Sequence, residues 1–187
     1  VANAGQALGD RNLVLVGFMG TGKSTLGRGA ARALRRPFAD TDTVVERRAG
    51  RSIPDIFAAG GEAAFRDLEA AAAADLGRPR RGVVATGGGI LGRADNLAAL
   101  RAGGVLVALT ARPDVILARV GGAGAAKRRP LLAGDDPLQR IAALLQERAA
   151  LYAQADLTLD TGRMRRDVAV IALLRLCAER AGAVRRP

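Results

Sequence analysis

Gly17-Phe18-Met19-Gly20-Thr21-Gly22-Lys23-Ser24 decides the fold of this 187-residue chain. The stretch is a complete phosphate-binding loop, Gly-x-x-x-x-Gly-Lys-Ser. The run before it, Asn12-Leu13-Val14-Leu15-Val16, is short and apolar, as a buried parallel strand is. Residues 24–34 read as a helix. The glycines therefore lie where a strand turns sharply into a helix, and there free backbone N–H groups and the positive helix end hold phosphate oxygens. Lys23 adds a compact charge on the outer phosphates, and the Ser24 hydroxyl is a magnesium ligand. The nucleotide contacts expected from the loop are Gly20, Thr21, Gly22, Lys23, Ser24 and Thr25. Lysine occurs only at Lys23 and Lys127, every other basic residue being arginine, so the loop holds one of two lysines. Arginine is too long and too planar to replace it there.

Composition narrows the alternatives. The length suits one domain with a sizeable core, and 49% hydrophobic residues exclude a disordered chain. A net charge of +11 suggests nucleic acid, but aromatics are only 3%, the arginines are scattered, and no nucleic-acid motif is present. Positive charge also steers anionic small molecules. Histidine is absent, so acid–base work falls to carboxylates or phosphates. The single cysteine, Cys177, reads as a buried hydrophobe, and no disulfide forms within one chain. No apolar run has the length of a membrane span and the N-terminus lacks a secretory pattern, so the expectation is a cytoplasmic protein without membrane or nucleic-acid partners. The chain starts at Val1, which is the expectation for a trimmed or replaced start.

Along the chain, residues 1–10 read as a loose tail. Strands are expected at 12–16, 38–40, 82–86, 105–109 and 157–160. Helices are expected at 24–34, 43–48, 52–59, 62–76, 94–102, 113–120, 138–154 and 166–180. Residues 121–134, rich in glycine and carrying Lys127-Arg128-Arg129, read as a mobile loop. Strands alternating with helices give a three-layer α/β/α domain around a central parallel sheet of about five strands.

Ligands in such sheets bind beyond the carboxyl ends of the strands. The phosphate loop follows the first strand, Asp40 and Asp42 follow the second, and Gly87-Gly88-Gly89 follow the third. Facing a phosphate loop, one aspartate serves magnesium and the other faces the hydroxyl that accepts a phosphoryl group. Arg66, with Glu69 three residues on, suits a bidentate grip on a substrate carboxylate; a plain surface ion pair is the alternative. Phe57 and Phe65 wall an apolar pocket beside it or belong to the core. Arg129, or its neighbour Arg128, sits at the tip of the mobile loop, where a lid arginine closes over the phosphoryl group.

The phosphate loop, Asp40-Thr41-Asp42, Gly61-Glu62-x-x-Phe65-Arg66, Gly87-Gly88-Gly89 and Arg129-Pro130-Leu131-Leu132 occur in that order, and together they resemble the shikimate kinase family. The likeness runs from about residue 12 to 180. It implies a single P-loop kinase domain, core about 12–182, with an acceptor-binding region at about 41–70 and a lid at about 121–134. It also implies transfer of the γ-phosphoryl of ATP to the 3-hydroxyl of shikimate, on the route to aromatic amino acids, by a monomer. By position, Lys23 contacts the phosphates, Ser24 and Asp40 serve Mg²⁺, and Asp42 binds the accepting hydroxyl and acts as base. Arg66 and Arg148 bind the shikimate carboxylate, and Gly88 holds a ring hydroxyl through its backbone, between Gly87 and Gly89. Arg129 reaches both substrates, and Arg119 and Arg163 sandwich adenine. No motif residue is missing, which implies an active enzyme. The rival readings are another small-molecule kinase of this fold, of gluconate or nucleoside monophosphate type, and a sensor that binds ligand without transferring phosphate.

Overall fold

β1 (Asn12–Val16) is buried along its whole length, and the rest of the architecture is arranged around it. With β2 (Phe38–Asp40), β3 (Val83–Ala85), β4 (Gly104–Thr110) and β5 (Leu157–Asp160) it forms a five-stranded parallel sheet in the order β2-β3-β1-β4-β5. The computed structural model describes residues 2–121, 132 and 136–184. Within these, the helices are α1 (Ala2–Leu8), α2 (Lys23–Leu34), α3 (Thr41–Ala49), α4 (Ile53–Leu76), α5 (Ala94–Gly103), α6 (Pro113–Val120), α7 (Pro137–Tyr152) and α8 (Arg166–Val184). None of them is long and apolar enough to cross a membrane.

Period-two alternation in the central strands feeds two cores. Leu13, Leu15, Val105, Val107 and Leu109 face α1, α2 and α8. Val14, Val16, Leu106 and Ala108 face α5, α6 and α7. Both faces are covered, which is why these strands read as unbroken apolar runs. A smaller cluster of Val44, Val45, Ile56, Phe65 and Ala72 ties α3 to α4.

The expected elements are found, with two differences. Residues 53–76 form one continuous run, but Gly61 (φ 69°, ψ −169°) breaks it where Gly60-Gly61 are expected to separate two helices. The tail is not loose: α1 packs on α8, and Ala4 and Leu8, one turn apart, are both buried. The Arg36 guanidinium donates to the carbonyls of Gly5 (3.1 Å), Gly9 (2.7 Å) and Arg11 (2.7 Å), satisfying the end of that helix. Seven residues containing a glycine do not hold a helix alone, so tertiary contact forms it.

Register sets the site. Leu15 and Asp40 both pair with Ala85, so the carboxyl ends of β1, β2 and β3 are level. Of the expected lid, Gly121 and the fully buried Leu132 are among the described residues; Arg128 and Arg129 lie outside them. Cys177 is buried, and burial pushes its thiol up to about 11, the inert hydrophobe expected.

Candidate active site

The phosphate end is set by backbone geometry. Gly17 has φ 134°, and a Cβ there would lie 2.3 Å from the Leu109 carbonyl oxygen, so the turn out of β1 admits no side chain. Gly22 caps α2 at φ 98° with no side-chain hydrogen bond, so no side chain covers the positive end of the helix there. Lys23 Nζ and Thr21 Oγ1 both donate to the Phe18 carbonyl at 2.8 Å. Ser24 Oγ donates to Asp40 Oδ2 at 2.6 Å. A hydroxyl and one carboxylate beside a phosphate loop form the hard oxygen set that Mg²⁺ takes, the remaining positions going to phosphate and water. Consistent with so sparse a site, the described residues contain no cluster of three or more carboxylate, His or Cys ligands.

Asp42 lies in the first turn of α3, capped by Asp40, whose Oδ1 accepts from the Asp42 N–H at 3.1 Å. A helix N-terminus favours a carboxylate. Here burial outweighs it, followed by the charges of Asp40 and Glu69, and the carboxyl rises to about 6; Lys23 pulls the other way and Glu46 adds to the rise. A carboxylate of that basicity, two residues from Asp40, is suited to take a proton near neutral pH.

The end of the cleft beyond Asp42 is built on α4, the triple glycine and α7. Glu69 is 1% exposed and accepts from Arg66 Nη1 at 2.7 Å, while Glu62 accepts from Arg66 Nη2 at 3.0 Å. This is no surface pair: a buried carboxylate fixes the guanidinium at the cavity wall. Phe57 and Phe65 both line the cavity, their rings stacked at 4.9 Å. Among the three glycines none has positive φ. A Cβ on Gly87 would lie 2.8 Å from both Asp42 Oδ1 and Glu69 Oε1, and one on Gly89 would lie 3.0 Å from Arg66 Nη1. Crowding by protein side chains explains why residue 87 is glycine. The Gly87 N–H donates to the buried Thr41 hydroxyl at 2.8 Å and is therefore engaged; those of Gly88 and Gly89 have no partner among the described residues. Arg148 Nη1 and the Tyr152 hydroxyl both donate to the Gly88 carbonyl, at 3.2 and 2.8 Å.

At the opposite end, Arg119 donates to Gly20 O (3.3 Å) and Thr161 O (2.7 Å), and the Thr161 hydroxyl donates to Thr21 O (2.9 Å). One cavity of about 890 Å³ contains all of this: the loop, both aspartates, Arg66, the triple glycine, Arg148 and Arg119. Arg163 is not in its wall and is exposed; Arg166, at the start of α8, is in the wall instead. The sequence reading passed over Thr41, Tyr152, Thr161 and Arg166. The spacing Arg148–Tyr152, i and i+4 on one helix, was the signal for Tyr152; nothing local marks the other three.

The family model described as shikimate kinase matches residues 19–177. A shikimate kinase of Desulforudis audaxviator is 51% identical over 152 residues, which is 81% of this chain and 78% of the relative. A shikimate kinase of Acinetobacter baumannii, solved in complex with shikimate, superposes with a TM-score of 0.83 at 36% identity, covering 94% of this chain and 98% of that one. A gluconokinase of Sinorhizobium meliloti shares the fold, with a TM-score of 0.53 at 18% identity over 93% of this chain and 95% of that one. This chain, with its phosphate loop, two aspartates and several arginines lining one cleft, belongs to the shikimate kinase family.

Proposed function

We infer that this protein is a shikimate kinase, transferring the γ-phosphoryl of ATP to the 3-hydroxyl of shikimate to give shikimate 3-phosphate and ADP. One observation carries the assignment: Asp42, Arg66 and Arg148 line the same cavity as the phosphate loop, in a chain about half identical to a shikimate kinase. An acceptor held there presents its hydroxyl to Asp42 and its carboxylate to the two arginines.

In the proposed mechanism, the loop N–H groups and Lys23 hold the nucleotide phosphates, and Ser24 and Asp40 hold Mg²⁺. A cation held there would supply compensation for the negative charge of the phosphates. The shikimate 3-oxygen forms a bond to the γ-phosphorus as the bridging β–γ oxygen bond breaks. ADP leaves, and the hydroxyl proton passes to Asp42. Arg66, braced by Glu69, and Arg148 grip the carboxylate bidentately, which fixes the hydroxyl for in-line attack. Arg119 flanks the nucleotide. Gly88 offers backbone to a ring hydroxyl. Arg129, outside the described residues, remains the proposed lid arginine. We further read the chain as a single kinase domain and a cytoplasmic monomer, with the small molecules as its partners.

The test is a coupled ADP-release assay with shikimate, gluconate and nucleoside monophosphates as competing acceptors, with Mg²⁺ and with chelator. Mg²⁺-dependent ADP release with shikimate alone is expected. Release with gluconate or a nucleotide instead returns the gluconate- or nucleotide-kinase reading, and none at all returns the sensor.

A further inference from the structure

The Gly88 carbonyl accepts two hydrogen bonds from α7, from Tyr152 Oη at 2.8 Å and Arg148 Nη1 at 3.2 Å. Tyr152 is the only tyrosine in the chain, and its ring is buried among the apolar side chains between the sheet and α7. A trans peptide is planar, so fixing the Gly88 carbonyl fixes the Gly89 N–H in the opposite direction. Glycine has no side chain to restrain that plane. The N–H groups of Gly88 and Gly89 have no partner among the described residues, whereas that of Gly87 is held by Thr41. The same carbonyl ties down the Arg148 guanidinium, which also lies over the Phe18 ring at 5.6 Å.

We propose that Tyr152 is a positioning residue for the acceptor: its hydroxyl, through the Gly88 carbonyl, aims the Gly89 N–H and seats Arg148. The proposal rests on the assignment above, in which this end of the cleft takes the acceptor. The expected consequence is selective. Loss of the hydroxyl disturbs acceptor binding and leaves the nucleotide end alone, because the phosphate loop is anchored through Phe18, Thr161 and Asp40 and not through Gly88. Tyr152→Phe keeps the ring in the core, and Arg148 still satisfies the carbonyl, so a purely structural hydroxyl would cost little.

Steady-state kinetics of Tyr152→Phe, with its melting temperature, test this. The expected result is a rise of about tenfold in KM for shikimate, the size of one lost directional hydrogen bond, with KM for ATP within about twofold and a melting temperature lowered by no more than about 4 °C. An unchanged KM for shikimate overturns the proposal, as does an equal loss against both substrates. In an Arg148→Ala background, where Tyr152 is the remaining side-chain donor to that carbonyl, the added effect of Tyr152→Phe should depart from additivity, since both act through one carbonyl; full additivity overturns the shared route. If the unaltered chain fails to phosphorylate shikimate, the functional assignment falls and this proposal with it. If both chains turn shikimate over alike, this proposal falls alone.

Discussion

Two glycine-rich turns bound the cleft, and they need glycine for different reasons. In the phosphate loop, Gly17 and Gly22 sit at φ 134° and 98°, a backbone region L-residues rarely adopt. In the triple glycine no residue has positive φ; Gly87 is small because Asp42 and Glu69 from two other elements crowd the place of its Cβ at 2.8 Å. The positive φ is a backbone requirement, to which Gly17 adds a tertiary one, the Leu109 carbonyl 2.3 Å from the place of its Cβ; at Gly87 the requirement is tertiary alone. The phosphate end thus starts from a turn written in consecutive residues, whereas the proposed acceptor end is an assembly of α3, α4, α7 and the β3 turn that meets only in the folded chain.

This contrast can be broken by mutation. Asp42→Asn removes the proposed base and should lower kcat by about 10²–10⁴-fold with ATP binding nearly unchanged, measured by turnover and nucleotide titration. Near-normal turnover would take Asp42 out of its role. Gly22→Ala and Gly87→Ala should separate the two ends. The former strains the backbone and costs nucleotide binding; the latter pushes the two carboxylates apart and should cost about 100-fold in kcat/KM for shikimate while sparing KM for ATP. If the two variants fail in the same way, the ends are not independent. Arg66→Ala should raise KM for shikimate by about 30–100-fold through the lost bidentate grip, again with ATP spared.

Asp42 also carries a stability cost, set first by its burial and then by the charges of Asp40 and Glu69. The Asp42 carboxyl rises from 3.8 to about 6 on folding, so its ionised form is the disfavoured one in the native state. The penalty is full above pH 6 and is relieved as pH falls from 6 towards 3.8. Asp42→Asn should therefore be more stable than the unaltered chain at pH 8, with chelator present, by about 1–2 kcal/mol after allowance for partial exposure, and the gain should vanish near pH 4. Denaturant melts at the two pH values measure it; a gain that persists at pH 4 would trace it to another cause. The smallest effect is expected at the nucleotide's far side: Arg166→Ala should raise KM for ATP by about threefold, and Arg163→Ala, at an exposed position outside the cavity wall, should not.

Read from residues alone, the parallel sheet and the phosphate loop were plain, because strand, turn and helix are written within 23 consecutive residues, 12–34. Asp42, Arg66, Gly87 and Arg148 were placed by order of motifs, and all four line one cavity. Three features escaped. The helix at Ala2–Leu8 has no stability of its own and exists through α8 and Arg36. The substitution of Arg166 for Arg163 in the cavity wall depends on side-chain direction where an irregular turn enters α8, and irregular turns have no period to read. The engagement of the Gly87 N–H by Thr41 depends on register between β2 and β3.

The sequence by itself determined the class of chemistry and the layering of the fold, because a phosphate loop and alternating apolar runs act over distances shorter than one element. Only the folded chain sets the basicity of Asp42, the burial of Glu69 behind Arg66, and which glycine N–H groups find no partner among the described residues. Each of these follows from groups far apart in the chain brought within hydrogen-bond or Coulomb range, where desolvation makes their charges count.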